Sequence, residues 1–294
     1  METVEKGRAK DYLKGIGFGV LMIVLFYAVQ FGVEIPTIMV STFIRIAKAG
    51  GDVESVMATY AQDIQSPEFL TIIMAIVTAA TALVFGIWYK LLYARKFMQN
   101  GFARTKKYVL TGKNILVFFL LGVISYFVSL VISSVIALVS PDSIEQFAEM
   151  MGRVTGGSKL VTFAFTVILA PIGEECLFRG ILQKQLMKWL PVLPALILQS
   201  LFFGIFHLNI VQGLYVLALG FVAGYAAYRC KSVLPAIFIH FVNNGISMII
   251  SNLPVTVLNN YLLWIVAPIV PLVLLVLVVK FMPGKLMEVP KEEE

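Results

Sequence analysis

The sequence predicts an all-α fold: a polytopic membrane helix bundle of about eight transmembrane helices, with both termini cytoplasmic. Three observations carry this. Hydrophobic residues make up 59% of the 294 residues and charged residues only 14%, against about 25% charged in an ordinary soluble domain. Mean hydropathy is +0.90, more apolar surface than a soluble globule of this length can hide. The apolar residues also fall in blocks of about 20, the length a helix needs to cross a ~30 Å hydrocarbon layer. A water-soluble enzyme and a disordered chain are thereby excluded. Strand-like alternation is absent, which speaks against a membrane β-barrel.

The apolar blocks are 12–33, 69–92, 114–139, 160–178, 192–208, 212–228, 233–252 and 261–282. The first follows a charged start. It is too long for a signal-peptide core and lacks a small-residue cleavage site, so it is expected to stay as an anchor. Segment 140–159 reads as an outer loop with a short amphipathic helix, because Ile144, Phe147, Ala148 and Met151 fall at helical spacing. The fourth block poses a problem of depth. If it stopped at Arg179, its acids would lie ~20 Å from the end of the fifth block at 1.5 Å per residue. The fourth helix is therefore expected to run on through 183–188, and the fifth to extend past His207.

Orientation follows from the basic residues. Of the 23 Lys and Arg, all but Arg45, Lys48, Arg153 and Lys159 fall in the N-terminal segment, the even-numbered connections or the tail. The odd-numbered connections carry Asp52, Glu54, Asp63, Glu68, Asp142, Glu145 and Glu149. The positive-inside rule then puts both termini in the cytoplasm. The same rule accounts for the net charge of +6 without a nucleic-acid partner; the lipid bilayer is the expected surrounding. Cys176 and Cys230 lie in or beside apolar blocks and make no secreted disulfide framework.

The functional signal lies in polar residues within these blocks. Glu174 and Glu175 are consecutive in the fourth, and a carboxylate at mid-bilayer costs at least ~2.5 kcal/mol. His207 and His240 are the only two histidines, and each lies inside or at the end of an apolar block. Asn244 shares a helix face with His240, four residues on. Arg179 follows Glu175 by four in the favoured order for an ion pair. Each has a plain structural explanation when taken singly: a helix-end ion pair, an interhelical hydrogen bond, a snorkelling acid. Together they gather on three spans of the second half, while the first three spans have no such cluster. Pro171 and Gly173 sit just before the acids. A proline there disrupts the preceding turn, and irregular backbone at membrane depth is tolerated only where protein or water covers it. A buried, hydrated active site is the reading these features favour.

The segments Glu174-Glu175-Cys176-Leu177-Phe178-Arg179, Phe203-Gly204-Ile205-Phe206-His207 and His240-Phe241-Val242-Asn243-Asn244 resemble, in order, the EExxxR, FxxxH and HxxxN motifs of the CAAX protease and bacteriocin-processing (CPBP) family of intramembrane proteases. The likeness covers about 160–252; the first three spans match only as generic helices. It implies an eight-helix membrane endopeptidase similar to type II CAAX prenyl proteases, with three regions: 1–159 as an N-terminal membrane region, 160–252 as the catalytic core, and 253–294 as a last helix and charged tail. Bacterial relatives are linked to peptide processing and bacteriocin self-immunity, and the short loops point to a bacterial cell membrane.

Peptide hydrolysis needs an activated water, a proton shuttle and a group that holds the oxyanion. Glu174 is the candidate base, and His207 would hold the water. Glu175 with Arg179 would orient the site, His240 and Asn244 would face the carbonyl oxygen, and Phe178 and Phe203 would line the substrate pocket or simply pack. Two cofactor readings stay open. Glu174, His207 and His240 would be the ligands if zinc is used, although Asn244 is a poor zinc ligand; the other reading is metal-free glutamate chemistry. A thiol mechanism through Cys176 is disfavoured, because Cys176 lies about 100° round the helix from Glu175. The expected substrate is a membrane-associated peptide or protein. The alternatives are a catalytically silent scaffold or self-immunity protein, and a transporter using the Glu/His cluster as a relay.

Overall fold

A computed structural model describes residues 7–94, 109–253 and 266–282, and all regular structure among them is helical. The first helix, α1 (Ala9–Lys48), has 40 residues. It spans ~60 Å at 1.5 Å per residue, twice the hydrocarbon thickness and well beyond the 12–33 expected. Its C-terminal half is held by α2 (Val53–Asp63), which the hydropathy pattern did not announce. Arg45 pairs with Asp63, and the Thr42 hydroxyl donates to the Tyr60 oxygen at 2.6 Å. Asp52 caps α2 by accepting from the Ser55 N–H at 3.0 Å, as an N-cap acid should.

Then come α3 (Pro67–Tyr89), continued by a π-helical turn at Lys90–Ala94, α4 (Gly112–Val139) and the amphipathic α5 (Pro141–Thr155). The last falls where the helical spacing of Ile144, Phe147, Ala148 and Met151 placed it. Helix α6 runs without a break from Lys159 to Trp189, so the extension through 183–188 is present. It is not a regular α-helix. Ala164–Leu169 and Cys176–Leu182 are π-helical on either side of the α-helical Ala170–Glu175. Pro171 has no N–H to give to the preceding turn, and a π-type register shift is one way to absorb that loss.

Helix α7 is Val192–Phe206. It does not extend past His207, contrary to expectation. His207 is its C-cap, Leu208 takes a left-handed φ of 50°, and Asn209 caps α8 (Ile210–Cys230) through the Gln212 N–H at 3.1 Å. The extension is not needed: Glu174 lies as many residues before the end of α6 as His207 lies beyond the start of α7, so the antiparallel pair brings them to matching depth. Helices α9 (Leu234–Ser251) and α10 (Ile269–Phe281) are the last described helices; the first residues expected for the last span, 261–265, lie outside the described residues.

Among the described residues six helices, α1, α3 with its π turn, α4, α6, α8 and α9, are long and apolar enough to cross a membrane, and α7 and α10 are shorter apolar helices. Large apolar side chains such as Val131, Leu138, Ile205 and Val276 are exposed, as lipid-facing residues are and as a water-soluble surface could not sustain. Within the bundle α6 lies against α1 and α3, α7 against α8, and α4 against α8 and α9. Two crossings are tight. A Cβ on Gly204 of α7 would come within 2.6 Å of the Gly213 oxygen of α8, and one on Gly122 of α4 within 2.7 Å of the Ile239 oxygen of α9. Only glycine allows backbones this close, the usual device where van der Waals packing drives helix association in lipid.

Candidate active site

Four helices converge on one polar cluster within the apolar core. Glu175 of α6 is fully buried, and its Oε1 accepts from Arg179 Nη1 at 3.0 Å and from His240 Nδ1 of α9 at 2.8 Å. The first contact follows from the i, i+4 spacing; the second joins α6 to α9. Arg179, 1% exposed, also donates through Nη2 to the Gly220 oxygen of α8 at 3.0 Å. Its guanidinium lies 4.3 Å from the centre of the Phe203 ring of α7, within cation–π range. One side chain therefore ties three helices together. This matches the rule that a buried charge is kept paired and hydrogen-bonded.

The same pattern repeats a turn further along α6. Gln183 Nε2 donates to the Gly224 oxygen of α8 at 2.9 Å, and Gln199 Nε2 of α7 reaches the Gly220 oxygen at 2.9 Å. Residues 175, 179 and 183 thus form one polar stripe of α6. Sequence reasoning stopped at Arg179, although the four-residue spacing extends to Gln183. The accepting carbonyls of Gly220 and Gly224 leave no mark in sequence.

Both histidines are oriented through Nδ1. His207 Nδ1 lies 2.7 Å from the Phe203 oxygen; a carbonyl can only accept, so Nδ1 carries the proton. His240 Nδ1 faces Glu175 Oε1, which Arg179 already holds as a carboxylate acceptor, so it too donates. Among the described residues neither ring's Nε2 has a hydrogen-bond partner, which leaves it available for a further one. Phe203 sits between them, its ring centroid 5.0 Å from that of His207 and 5.9 Å from that of His240, near-perpendicular to both. Phe178 packs edge-on against Phe203 at 5.1 Å, and both are fully buried.

Glu174, by contrast, is half-buried and makes no hydrogen bond or ion pair among the described residues. It lies within electrostatic reach of His240, Glu175 and Arg179, and of Tyr27 and Tyr215. Asn244 is already engaged: Nδ2 donates to the Thr166 oxygen at 2.9 Å, and Oδ1 accepts from Asn243 Nδ2 at 3.0 Å. Thr166 lies in the first π-helical stretch of α6, so that irregularity positions an acceptor for Asn244. Cys176 and Cys230 are buried and unbridged. Among the described residues no three His, Cys, Asp or Glu side chains are grouped to hold one metal ion. Glu174, His207 and His240 as they stand do not form a zinc ligand set, although an Nδ1 bonded to a carbonyl or carboxylate is how metal-binding histidines are commonly fixed.

The fold and cluster define a polytopic membrane protein with a charged, hydrogen-bonded site buried among its helices. Residues 156–246 match the family model described as type II CAAX prenyl endopeptidase Rce1-like, a likeness that supports the resemblance of this stretch to the CAAX protease and CPBP proteins. The matched stretch holds all six candidate residues, Glu174, Glu175, Arg179, His207, His240 and Asn244. No curated protein and no solved structure matches the chain.

Proposed function

We propose that the chain is an intramembrane endopeptidase that hydrolyses a peptide bond of a membrane-associated peptide or protein with water activated by Glu174. The observation that carries this reading is the contrast between neighbouring acids. Glu175 is buried and doubly bonded, whereas Glu174 has no hydrogen-bond or ion-pair partner among the described residues and lies within electrostatic reach of His240. A structural acid would have been paired; an acid that must take and return a proton has to be left open to its substrate water.

In this mechanism a water lies between Glu174 and His207 Nε2. Its oxygen attacks the amide carbon as one proton passes to Glu174, while the second is held by His207 Nε2. The carbonyl oxygen becomes an oxyanion facing His240 Nε2–H and the second amide hydrogen of Asn244, the first being held by Thr166. Glu175 takes the His240 Nδ1 hydrogen bond and keeps its ring in place, and Arg179 fixes Glu175. As the C–N bond breaks, Glu174 returns its proton to the leaving nitrogen, giving one new carboxyl and one new amino terminus.

The test is cleavage by the purified protein in lipid discs. Membrane-derived peptides are incubated with the wild type and with Glu174→Gln, and new termini are read by mass spectrometry. Cleavage by the wild type alone supports the reading; equal cleavage by both, or by neither, removes it. A parallel arm with a chelator, followed by added Zn²⁺, distinguishes the metal-free reaction from a metal-dependent one.

A further inference from the structure

Helix α7 ends at Phe206, a buried residue, and its last four carbonyls have no successor turn to satisfy them. At membrane depth each must find a partner in the protein. All four do. The Gly204 oxygen accepts the His207 N–H at 3.2 Å and the Ile205 oxygen the Leu208 N–H at 3.1 Å. The Phe203 oxygen takes the His207 ring N–H. The fourth, the Phe206 oxygen, takes the hydroxyl of Tyr27 from α1.

We propose that Tyr27 is a positioning residue for His207, and that α1, outside the family-matched stretch, is thereby part of the site. This rests on the reading of His207 as the group that holds the attacking water. The carbonyl that Tyr27 grips belongs to the same peptide unit as the His207 N–H, so its hydrogen bond sets the plane from which the histidine backbone departs. The Tyr27 ring also packs on Phe206, centroids 6.1 Å apart, and its hydroxyl lies within electrostatic reach of Glu174. The histidine ring and the tyrosine hydroxyl thus close one helix end between them. Loss of the hydroxyl leaves a buried carbonyl that can be satisfied only by turning the peptide, and His207 with it. A displacement of about 1 Å at such a group costs up to ~10²-fold in rate.

The test uses the full chain in lipid discs with ¹⁵N-labelled histidine. There are only two histidines, and the His207 ring signals are those missing from His207→Gln. In the wild type they should report the Nδ1–H tautomer. Tyr27→Phe keeps the ring and removes only the hydroxyl. It should shift the His207 signals, leave those of His240 in place, and lower kcat about tenfold or more with KM within about twofold, as loss of a hydrogen bond that orients a site ligand does. A merely structural tyrosine would lower the unfolding temperature without moving the His207 signals or the rate per folded molecule. Unchanged His207 signals with kcat within about twofold of wild type would overturn the proposal. If the wild type cleaves no peptide, the protease reading fails, and the ring signals still decide the role of Tyr27.

Discussion

Glu175 Oε1 is the atom on which the site turns, because it accepts from both Arg179 and His240. Breaking a buried pair by removing one partner typically costs about 3–5 kcal/mol, since the other charge is left uncompensated. Arg179→Ala should therefore lower stability by an amount of that order, read as unfolding in detergent titration, and should abolish cleavage. Arg179→Lys keeps the charge but not the planar fork. It cannot hold Glu175 and the Gly220 oxygen in the same way, so it should restore stability more than activity. Equal rates for Lys and Arg would reduce Arg179 to a helix anchor. Glu174→Gln makes the opposite prediction. Glu174 has no hydrogen bond or ion pair to lose among the described residues, so the protein should unfold as the wild type does. Its cleavage rate should still fall about 10²–10⁴-fold, the usual contribution of a general base. Cys176→Ser should remain active, and an inactive Cys176→Ser would reopen a thiol mechanism. At this scale the six motif residues were legible because charged and imidazole groups stand out in apolar helices. Gln183, Gln199, Asn243 and Tyr27 were not, because amides and tyrosines are ordinary in such helices until their partners are known.

Helix extents were legible where composition changes and illegible where it does not. The end of α6 at Trp189 was anticipated from the depth argument. The end of α7 at Phe206 was not, because Leu208 and Ile210 on either side of the turn are as apolar as the helix before it. Only the left-handed backbone at Leu208 and the Asn209 cap mark the break. The C-terminal half of α1 was missed for a related reason: hydropathy weakens beyond 33, but the helix is continued by contacts with α2. The α7–α8 crossing is open to direct test. Gly204→Ala would drive a Cβ against the Gly213 backbone oxygen, which cannot rotate away. Overpacking of this kind costs typically about 1–3 kcal/mol. It should lower the unfolding temperature and, by shifting the end of α7, reduce cleavage. Gly86→Ala on α3 is the control. A Cβ there meets nothing within 4 Å, so it should be neutral or slightly stabilising, by about 0.4–1 kcal/mol. Equal unfolding temperatures for the two variants would refute the close crossing.

For the whole molecule, the distribution of basic residues leads to an orientation that cysteine accessibility can check. In a Cys176→Ser, Cys230→Ser background, Gly51→Cys should react with an impermeant maleimide added outside intact cells. Ser232→Cys, between Lys231 and the start of α9, should react only after the membrane is opened; labelling of both from outside would break the expected topology. The sequence by itself determined the class of the molecule and which polar side chains stand within its apolar helices. Composition dictates a membrane bundle because that much apolar surface cannot face water, and isolated polar groups within apolar spans mark a candidate site because membrane depth makes them costly. What only the tertiary structure decided is how those groups are shared among helices. Hydrogen-bond partners are chosen by distance in space, and residues far apart in sequence meet through carbonyls and glycines that carry no chemical signature. Hence Glu175 was expected beside Arg179 but not beside His240, and nothing in the sequence of α1 linked Tyr27 to the end of α7. Packing made both connections, because inside an apolar bundle each buried donor and acceptor takes the partner that the neighbouring helix presents.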